Sequence, residues 1–159
     1  EEQNWMTAEA NMNREHFVYE KSIRLNVTNE TLEDKKVLVK WALRNADASV
    51  VKAEEREVTV PALSSVWLDK EEYPDVDVFG QYVSYEAWEG DTCISEGSVI
   101  FSYPKYFHYL DPQLSYRIEG DEIVVSAKAY AKGVEILNLS EDLILSDNYL
   151  DMIAGEKRV

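Results

Sequence analysis

The sequence predicts an all-β protein whose antiparallel strands have the spacing of β-sandwiches. Apolar and polar residues alternate over short stretches, and turn residues such as Gly90-Asp91 and Gly120-Asp121 separate these stretches. No helical period of useful length occurs anywhere in the 159 residues. Because 45% of the residues are hydrophobic, the chain has enough apolar material for a packed core.

Six strands are predicted in the first two thirds of the chain. Residues 16–27 place apolar side chains at odd positions, which is typical of a half-buried strand. Residues 37–43 are rich in β-branched and aromatic side chains and are the strongest candidate. The other strands are predicted at residues 50–60, 64–68, 78–88 and 93–103, with residues 1–15 forming a first edge strand or a tail.

A domain boundary is predicted in residues 104–112. Pro104 and Pro112 cannot sit in central strands, so the sandwich pattern breaks there. The division gives one domain over residues 1–104, with room for an N-terminal tail or linker, and a second over residues 105–159. Because the aromatic rings of this segment need a place to bury, Phe107 and Tyr109 are expected at the seam between the domains.

The second domain is predicted to hold strands at residues 114–119, 122–130, 133–139 and 143–146. A unit this small buries only about 60% of the surface that its unfolded chain exposes, so it must pack against a neighbouring domain or subunit to be stable. We expect Asp147 and Asn148 to cap backbone groups at the polar kink that follows. With Asp151 they could instead bind calcium through oxygen, but their spacing fits no EF-hand loop, and capping is favoured.

Three stretches of the sequence carry a family resemblance. Residues 143–159 (LILSDNYLDMIAGEKRV), the run YLDP at 109–112, and NVTNETLED at 26–34 with the strand and the VPALSS run that follow it resemble the C-terminal immunoglobulin-like domains of β-mannosidases of glycoside hydrolase family two. The resemblance implies two small immunoglobulin-like antiparallel β-sandwich domains in tandem. It also implies a parent enzyme that hydrolyses terminal β-mannosides with retention, and the catalytic barrel and other domains of that parent as partners.

No catalytic residue of that family can be carried over to this chain. Its (β/α)8 barrel needs about 250 residues and eight helices, which this chain lacks. The dipeptide Asn29-Glu30 invites comparison with the acid/base glutamate of the family, but it lies in a polar turn between predicted strands. The chain is therefore expected to be a non-catalytic accessory part that supports the barrel structurally. The alternative is a carbohydrate-binding module that uses exposed aromatics, drawn from Trp67, Trp88, Tyr82, Tyr85 and the cluster at residues 103–109.

The amino-acid composition limits which kinds of partner, metal and compartment are expected for the chain. A net charge of −15 argues against nucleic acid and anionic membranes, because both attract cationic surfaces. His16 and His108, the only histidines, lie in different predicted domains, so no metal site and no cofactor are expected. The single cysteine, Cys93, cannot form an intrachain disulfide and favours a reducing compartment such as the bacterial cytoplasm. Because the chain begins with Glu, a processed protein or a fragment is expected.

Overall fold

The computed structural model describes residues 18–139 and 144–159. Within these ranges every strand pairing is antiparallel, and one short 3-10 helix spans Pro104–Tyr106. The strands are β1 Ser22–Ile23, β2 Asn26–Asn29, β3 Lys35–Asn45, β4 Val50–Val60, β5 Ser64–Trp67, β6 Glu71–Glu72, β7 Gln81–Glu89, β8 Thr92–Ile100, β9 Ser115–Glu119, β10 Glu122–Ala127, β11 Ala131–Val134, β12 Leu150–Met152 and β13 Gly155–Arg158.

The first sandwich is built around a four-stranded sheet in the order β4-β3-β7-β8. The two-stranded ribbons β2-β5 and β1-β6 accompany it. Because side chains alternate across a strand, the odd-numbered residues of β3 face inward, and Trp41 is their largest member. The core cluster also takes in Leu68, Tyr73 and Val76 from the segment that runs past β5 and β6.

Gly97 marks a close approach inside this sheet. Tyr85 on β7 lies directly opposite Gly97 on β8, and a Cβ placed at Gly97 would lie 2.5 Å from the Tyr85 hydroxyl oxygen. The Tyr85 ring therefore lies across the glycine, in space that any other side chain would occupy. The hairpin that joins β7 and β8 turns at Gly90, whose φ of 59° suits glycine.

Asn29 is one of few buried polar side chains in the first sandwich. Its amide nitrogen donates to the carbonyl oxygens of Glu33 (2.8 Å), Val60 (3.1 Å) and Pro61 (3.1 Å). Its amide oxygen accepts from the backbone nitrogen of Thr31 at 3.0 Å and from the Thr31 hydroxyl at 2.7 Å. The side chain thus satisfies backbone groups at the end of β2 that would otherwise be buried without partners.

The second sandwich is smaller. It packs a three-stranded sheet, ordered β13-β10-β9, against the two-stranded sheet β11-β12. Five residues form its buried cluster: Val125, Ala127, Ala131, Leu150 and Met152. Gly133, with φ of 65°, lies at the register shift between β11 and β12.

The structure differs from the strand predictions at four places. Of residues 133–139, only residues 133 and 134 lie in a strand, β11, which begins at Ala131. Residues 16–27 are not one strand, because β1 pairs with β6 while β2 pairs with β5, and Arg24 between them donates to the Leu68 carbonyl oxygen at 3.2 Å. The strand predicted to begin at residue 78 begins at Gln81, because Asp77 accepts a bond from the Phe79 nitrogen and holds a turn. Residues 144–146 are not a strand. The predictions for residues 1–17, including His16, and for Leu143 fall outside the described residues.

Candidate functional site

The contact between the two sandwiches, called the seam below, has a stacked tyrosine pair at its centre. The rings of Tyr82 on β7 and Tyr130 lie 3.7 Å apart with an interplanar angle of 13°, and both residues are fully buried. Tyr82 reaches the seam because it points away from the first core, opposite to its buried neighbour Val83. Phe107 packs edge-on against Tyr82 and Tyr130, at 6.5 and 5.7 Å between ring centroids.

Backbone hydrogen bonds cross the same contact. The Tyr130 nitrogen donates to the Ala46 carbonyl oxygen at 3.0 Å, which links the second sandwich to the loop after β3. The His108 nitrogen donates to the Phe79 carbonyl oxygen at 2.6 Å, and the His108 ring stacks on the Phe79 ring at 5.8 Å. One of these bonds therefore joins the second sandwich to the first, and the other joins the connecting segment to the first.

A cluster of four polar side chains, called the polar cluster below, adjoins the tyrosine pair. Asp151 accepts hydrogen bonds from the Ser98 hydroxyl, from Lys132 Nζ at 2.7 Å and from the Gly133 nitrogen at 3.1 Å. The Ser98 hydroxyl also lies 2.7 Å from the Tyr130 hydroxyl. Ser98 belongs to β8 of the first sandwich and the other three side chains to the second, so the cluster joins the two by charge-assisted bonds.

Burial and hydrogen bonding shift the pKa values of Asp151, Tyr82 and Tyr130. Burial opposes ionisation of Asp151, but the bonds from Lys132 and Ser98 outweigh it, and the pKa of the carboxyl lies below its ordinary value. Desolvation raises the pKa of Tyr82 to about 12, and burial likewise raises the pKa of Tyr130. Asp151 is therefore a carboxylate and both tyrosines are neutral at any pH near 7.

Of the residues expected at the seam, Phe107 is buried, and Tyr109 stacks on Tyr130 at 5.9 Å while remaining 39% exposed. The residues Ser98, Tyr130, Lys132 and Asp151 were not expected there. Asp151 had been weighed only as a calcium ligand, and no local sequence pattern distinguishes Ser98 from other serines in strands. The Tyr130 ring offered a weak signal, as an aromatic at the end of a predicted strand.

The residues expected to cap backbone groups differ in their surroundings. Asn148 is half-buried, and its amide oxygen accepts from the nitrogens of Ile136 and Tyr149, both at 2.8 Å. Its amide nitrogen donates back to the Ile136 carbonyl oxygen at 3.1 Å. Asp147 is exposed, and among residues 18–139 and 144–159 its carboxylate accepts from the adjacent Asn148 nitrogen alone, at 2.8 Å. Whether these bonds stabilise the fold stays a prediction.

The aromatic residues considered for sugar stacking do not form a shared exposed platform. Tyr82 is fully buried, and Trp88 and Tyr85 are half-buried. Trp67 is 57% exposed, but the Arg24 guanidinium lies over its ring at 5.1 Å. Glu30 is exposed just after the end of β2, in the loop that leads to β3.

Two absences hold for the described residues. Residues 18–139 and 144–159 contain no group of three or more His, Cys, Asp and Glu side chains placed to hold a metal ion. The same residues contain no helix long and apolar enough to cross a membrane.

An apolar groove lies on the open side of the second sandwich. It has a volume of about 740 Å³ and runs beside the edge strand β9. Tyr116 and Ile118 of β9 are 74% and 70% exposed there, and Leu137 is 69% exposed. Exposed apolar patches of this kind mark contacts with other protein surfaces.

Comparison with protein families identifies the fold. The family model described as a mannosidase Ig/CBM-like domain matches residues 21–106, more than half of the chain. The chain belongs to this family of mannosidase Ig/CBM-like domains. A second mannosidase model, described as an Ig-fold domain, matches residues 109–159. The prediction of an all-β protein with two immunoglobulin-like sandwiches in tandem is therefore confirmed, and so is the resemblance to mannosidase domains.

Solved structures agree with this mannosidase Ig-like fold. A β-D-mannosidase from Dictyoglomus thermophilum matches with a TM-score of 0.70 and 17% identity, covering 87% of this chain and 18% of that one. At this identity the likeness establishes the fold alone. The chain therefore spans less than a fifth of the length of this relative.

Two Bacteroides uniformis structures align less well. β-Glucuronidase 2, covalently bound to cyclophellitol-6-carboxylate aziridine, is 13% identical with a TM-score of 0.41, and the match covers 75% of this chain and 15% of that one. A β-glucuronidase is 14% identical with a TM-score of 0.39, covering 74% and 15%. These scores add nothing to the argument about the fold. No curated protein matched the chain.

Proposed function

We propose that the chain is the non-catalytic C-terminal accessory part of a β-mannosidase of glycoside hydrolase family two. The parent enzyme hydrolyses terminal β-mannosides with retention, and the two sandwiches pack beside its catalytic barrel and support it. The observation that carries this proposal is the pair of mannosidase family models, which match residues 21–106 and 109–159 in succession. The end of the first match at residue 106 and the start of the second at residue 109 support a domain boundary within residues 104–112.

Two features of the molecule favour a supporting role. The seam buries an aromatic pair and a polar cluster, which suits a unit that holds a fixed shape. The apolar groove of the second sandwich offers a surface for a neighbouring domain of the same polypeptide. Of the aromatic residues considered for sugar stacking, Tyr82 and Phe107 are buried, whereas Trp67, Tyr103 and Tyr109 are exposed, so a carbohydrate-binding module remains the alternative.

Sequencing the coding region upstream of residue 1 tests the accessory role. We expect a (β/α)8 barrel with two catalytic glutamates in the same reading frame. A reading frame that encodes no such barrel would overturn the proposal.

An activity assay tests the absence of catalysis. The isolated chain should not hydrolyse an aryl β-mannoside, because it lacks a barrel and Glu30 is an exposed loop residue. Steady turnover that disappears in a Glu30→Gln variant would contradict this expectation.

A further inference from the structure

The outer face of the four-stranded sheet is arranged in cross-strand rows. Even-numbered residues of β3 point to this face, and each is flanked by its partners on β4, β7 and β8. One row contains Ala53, Ala42, Ser84 and Ser98; the next contains Glu55, Lys40, Glu86 and Glu96; the row beyond contains Glu57, Leu38, Trp88 and Cys93. The row of small side chains is therefore lower than the neighbouring row of longer polar side chains, which makes a step in the surface of this face.

The step forms a cleft with a volume of about 370 Å³. Ala42, Ala53 and Ser84 lie at its floor, where the small side chains leave space above the sheet. Arg44 lines one side, and its Nε donates to the Ser84 hydroxyl at 2.9 Å. This volume falls in the range of about 300–1,000 Å³ that is usual for small-molecule sites.

The charged residues on the other side of the cleft are not paired with one another. Lys40 lies between Glu55 and Glu86 in the row, yet it forms no ion pair with any described residue. Its ammonium instead lies 5.2 Å from the centroid of the Trp88 ring. Glu86 also lines the cleft, and one of its carboxylate oxygens accepts a bond from the Trp88 indole nitrogen at 2.8 Å. Donors and acceptors therefore converge on one small volume with bonding capacity to spare.

Two of these rows continue past the cleft to β8, where they meet the second sandwich. The row of small residues ends at Ser98, where Lys132 Nζ reaches the Ser98 carbonyl oxygen at 3.2 Å. The next row ends at Glu96, which pairs with Lys157 of β13 at 2.6 Å. Side chains of the second sandwich thus contact the β8 end of both rows.

The balance of charge selects the ligand. An anion would meet Glu54, Glu55 and Glu86, a cation would meet Lys40 and Arg44, and an apolar ligand would offer none of these charged groups a hydrogen bond. A neutral ligand with many hydroxyl groups donates to the carboxylates and accepts from the cations at once. We propose that this cleft is a binding site for a neutral saccharide. This site is independent of the supporting role proposed above.

A titration of the 15N-labelled chain with a linear β-1,4-linked mannotetraose, followed by two-dimensional amide spectra, tests the site. We expect shifts at the amides of Ala42, Ser84 and Glu86 and at the Trp88 indole, in fast exchange. Inorganic phosphate serves as the anionic probe under the same conditions. Amide shifts at the cleft with phosphate but not with the sugar would overturn the proposal, and so would no shift with the sugar up to its solubility limit.

Matched variants locate the binding. Lys40→Met and Glu86→Gln should each raise the Kd for the sugar by about tenfold, since each removes a charge-assisted bond. Lys36→Met and Glu57→Gln serve as controls, because these residues form an exposed ion pair on the same face at 2.7 Å, outside the cleft. Equal weakening in all four variants would contradict a site in the cleft. A folded amide spectrum of each variant excludes unfolding as the cause.

Discussion

The two sandwiches differ in how much of their stability each can supply for itself. In the first, eleven buried residues form one cluster under strands of up to eleven residues. In the second, the buried cluster has five members and strands reach at most six residues. Several large apolar side chains of the second sandwich, among them Tyr116 and Ile118, are mostly exposed. A core this small leaves little margin over conformational entropy.

The seam compensates for that small core. The largest fully buried side chain of the second sandwich, Tyr130, packs against Tyr82 of the first rather than inside its own sheets. Asp151, which accepts three hydrogen bonds, bonds to Ser98 across the same contact. We therefore expect the second sandwich to depend on the first for its stability more than the first depends on the second. Substitutions at the seam test this asymmetry, and a substitution at Asn148 tests a contact within the second sandwich.

Tyr130→Ala should have the largest effect. It removes a buried aromatic ring from the seam, which costs about 3–5 kcal/mol in the free energy of unfolding. Amide hydrogen exchange should accelerate across β10 and leave β3 protected. Tyr116→Ala is the control, because that ring is 74% exposed and its loss should change stability by less than about 0.5 kcal/mol. Equal acceleration in β3 and β10 would refute the asymmetry.

Asp151→Asn should cost about 1–3 kcal/mol, because it removes a charge from a half-buried hydrogen-bonded group. The lowered pKa of Asp151 fixes the sign of the pH dependence. Its contribution to stability is complete above the ordinary value of 3.8 and is lost as the pH falls through the lower pKa of the folded state.

Thermal melts at a series of pH values measure this contribution. The difference in stability between wild type and Asp151→Asn should shrink as the solution becomes more acidic than the ordinary Asp value. Asp147→Asn, at an exposed carboxyl, is the control and should follow the wild type. A difference that stays constant down to strongly acidic pH would show that the charge of Asp151 does not matter.

Asn148→Ala should cost about 1–2 kcal/mol, because it leaves the backbone groups of Ile136 without their partner. Asp147→Ala should change stability by less than about 0.5 kcal/mol, since Asp147 is exposed and accepts a bond from the adjacent Asn148 nitrogen. Thermal melts of both variants distinguish the two residues. A chelator should leave the wild-type melt unchanged; a loss of stability with chelator would favour the calcium interpretation.

The smallest effect concerns two hydroxyl groups of the stacked pair. Tyr130→Phe loses the bond to Ser98 and should cost about 1 kcal/mol. Tyr82→Phe should be neutral or slightly stabilising, because the buried Tyr82 hydroxyl has no partner among the described residues. Chemical denaturation of both variants provides the measurement. Equal losses would mean that the Tyr130 bond contributes nothing beyond ring packing.

The sequence predicts well what depends on local pattern. The strand at residues 50–60 is observed as Val50–Val60, because β-propensity and the flanking Pro61 act over short distances. The break at Arg24 was missed because alternation continues across it, while the two halves pair with different strands. The polar run at Asn148 signalled a side chain that bonds backbone groups, but nothing nearby identified Ile136 as the partner.

Neither the seam nor the cleft could be predicted from the sequence, and the reason is the same for both. Ser98 and Asp151 are separated by 53 positions, and their bond depends on how two folded units dock. The row of Glu55, Lys40 and Glu86 exists only once the register of three strands is known. Aromatic content suggested a sugar platform, but burial depends on tertiary packing, which removed Tyr82 from the surface.

The hydrogen bonds of Asn29 have a consequence for the choice of expression host. Asn29-Glu30-Thr31 is an acceptor sequence for N-linked glycosylation, which eukaryotic secretory cells attach to the amide nitrogen. In the folded protein that nitrogen is buried and donates to three carbonyl oxygens. A glycan could be attached only before β2 folds against its neighbours. It would then prevent the Asn29 amide from forming its native hydrogen bonds. Production in a secretory host should therefore yield misfolded chains. Asn29→Gln would not restore folding, because it replaces the side chain that forms the buried bonds. Thr31→Val would remove the acceptor sequence and keep the Asn29 amide.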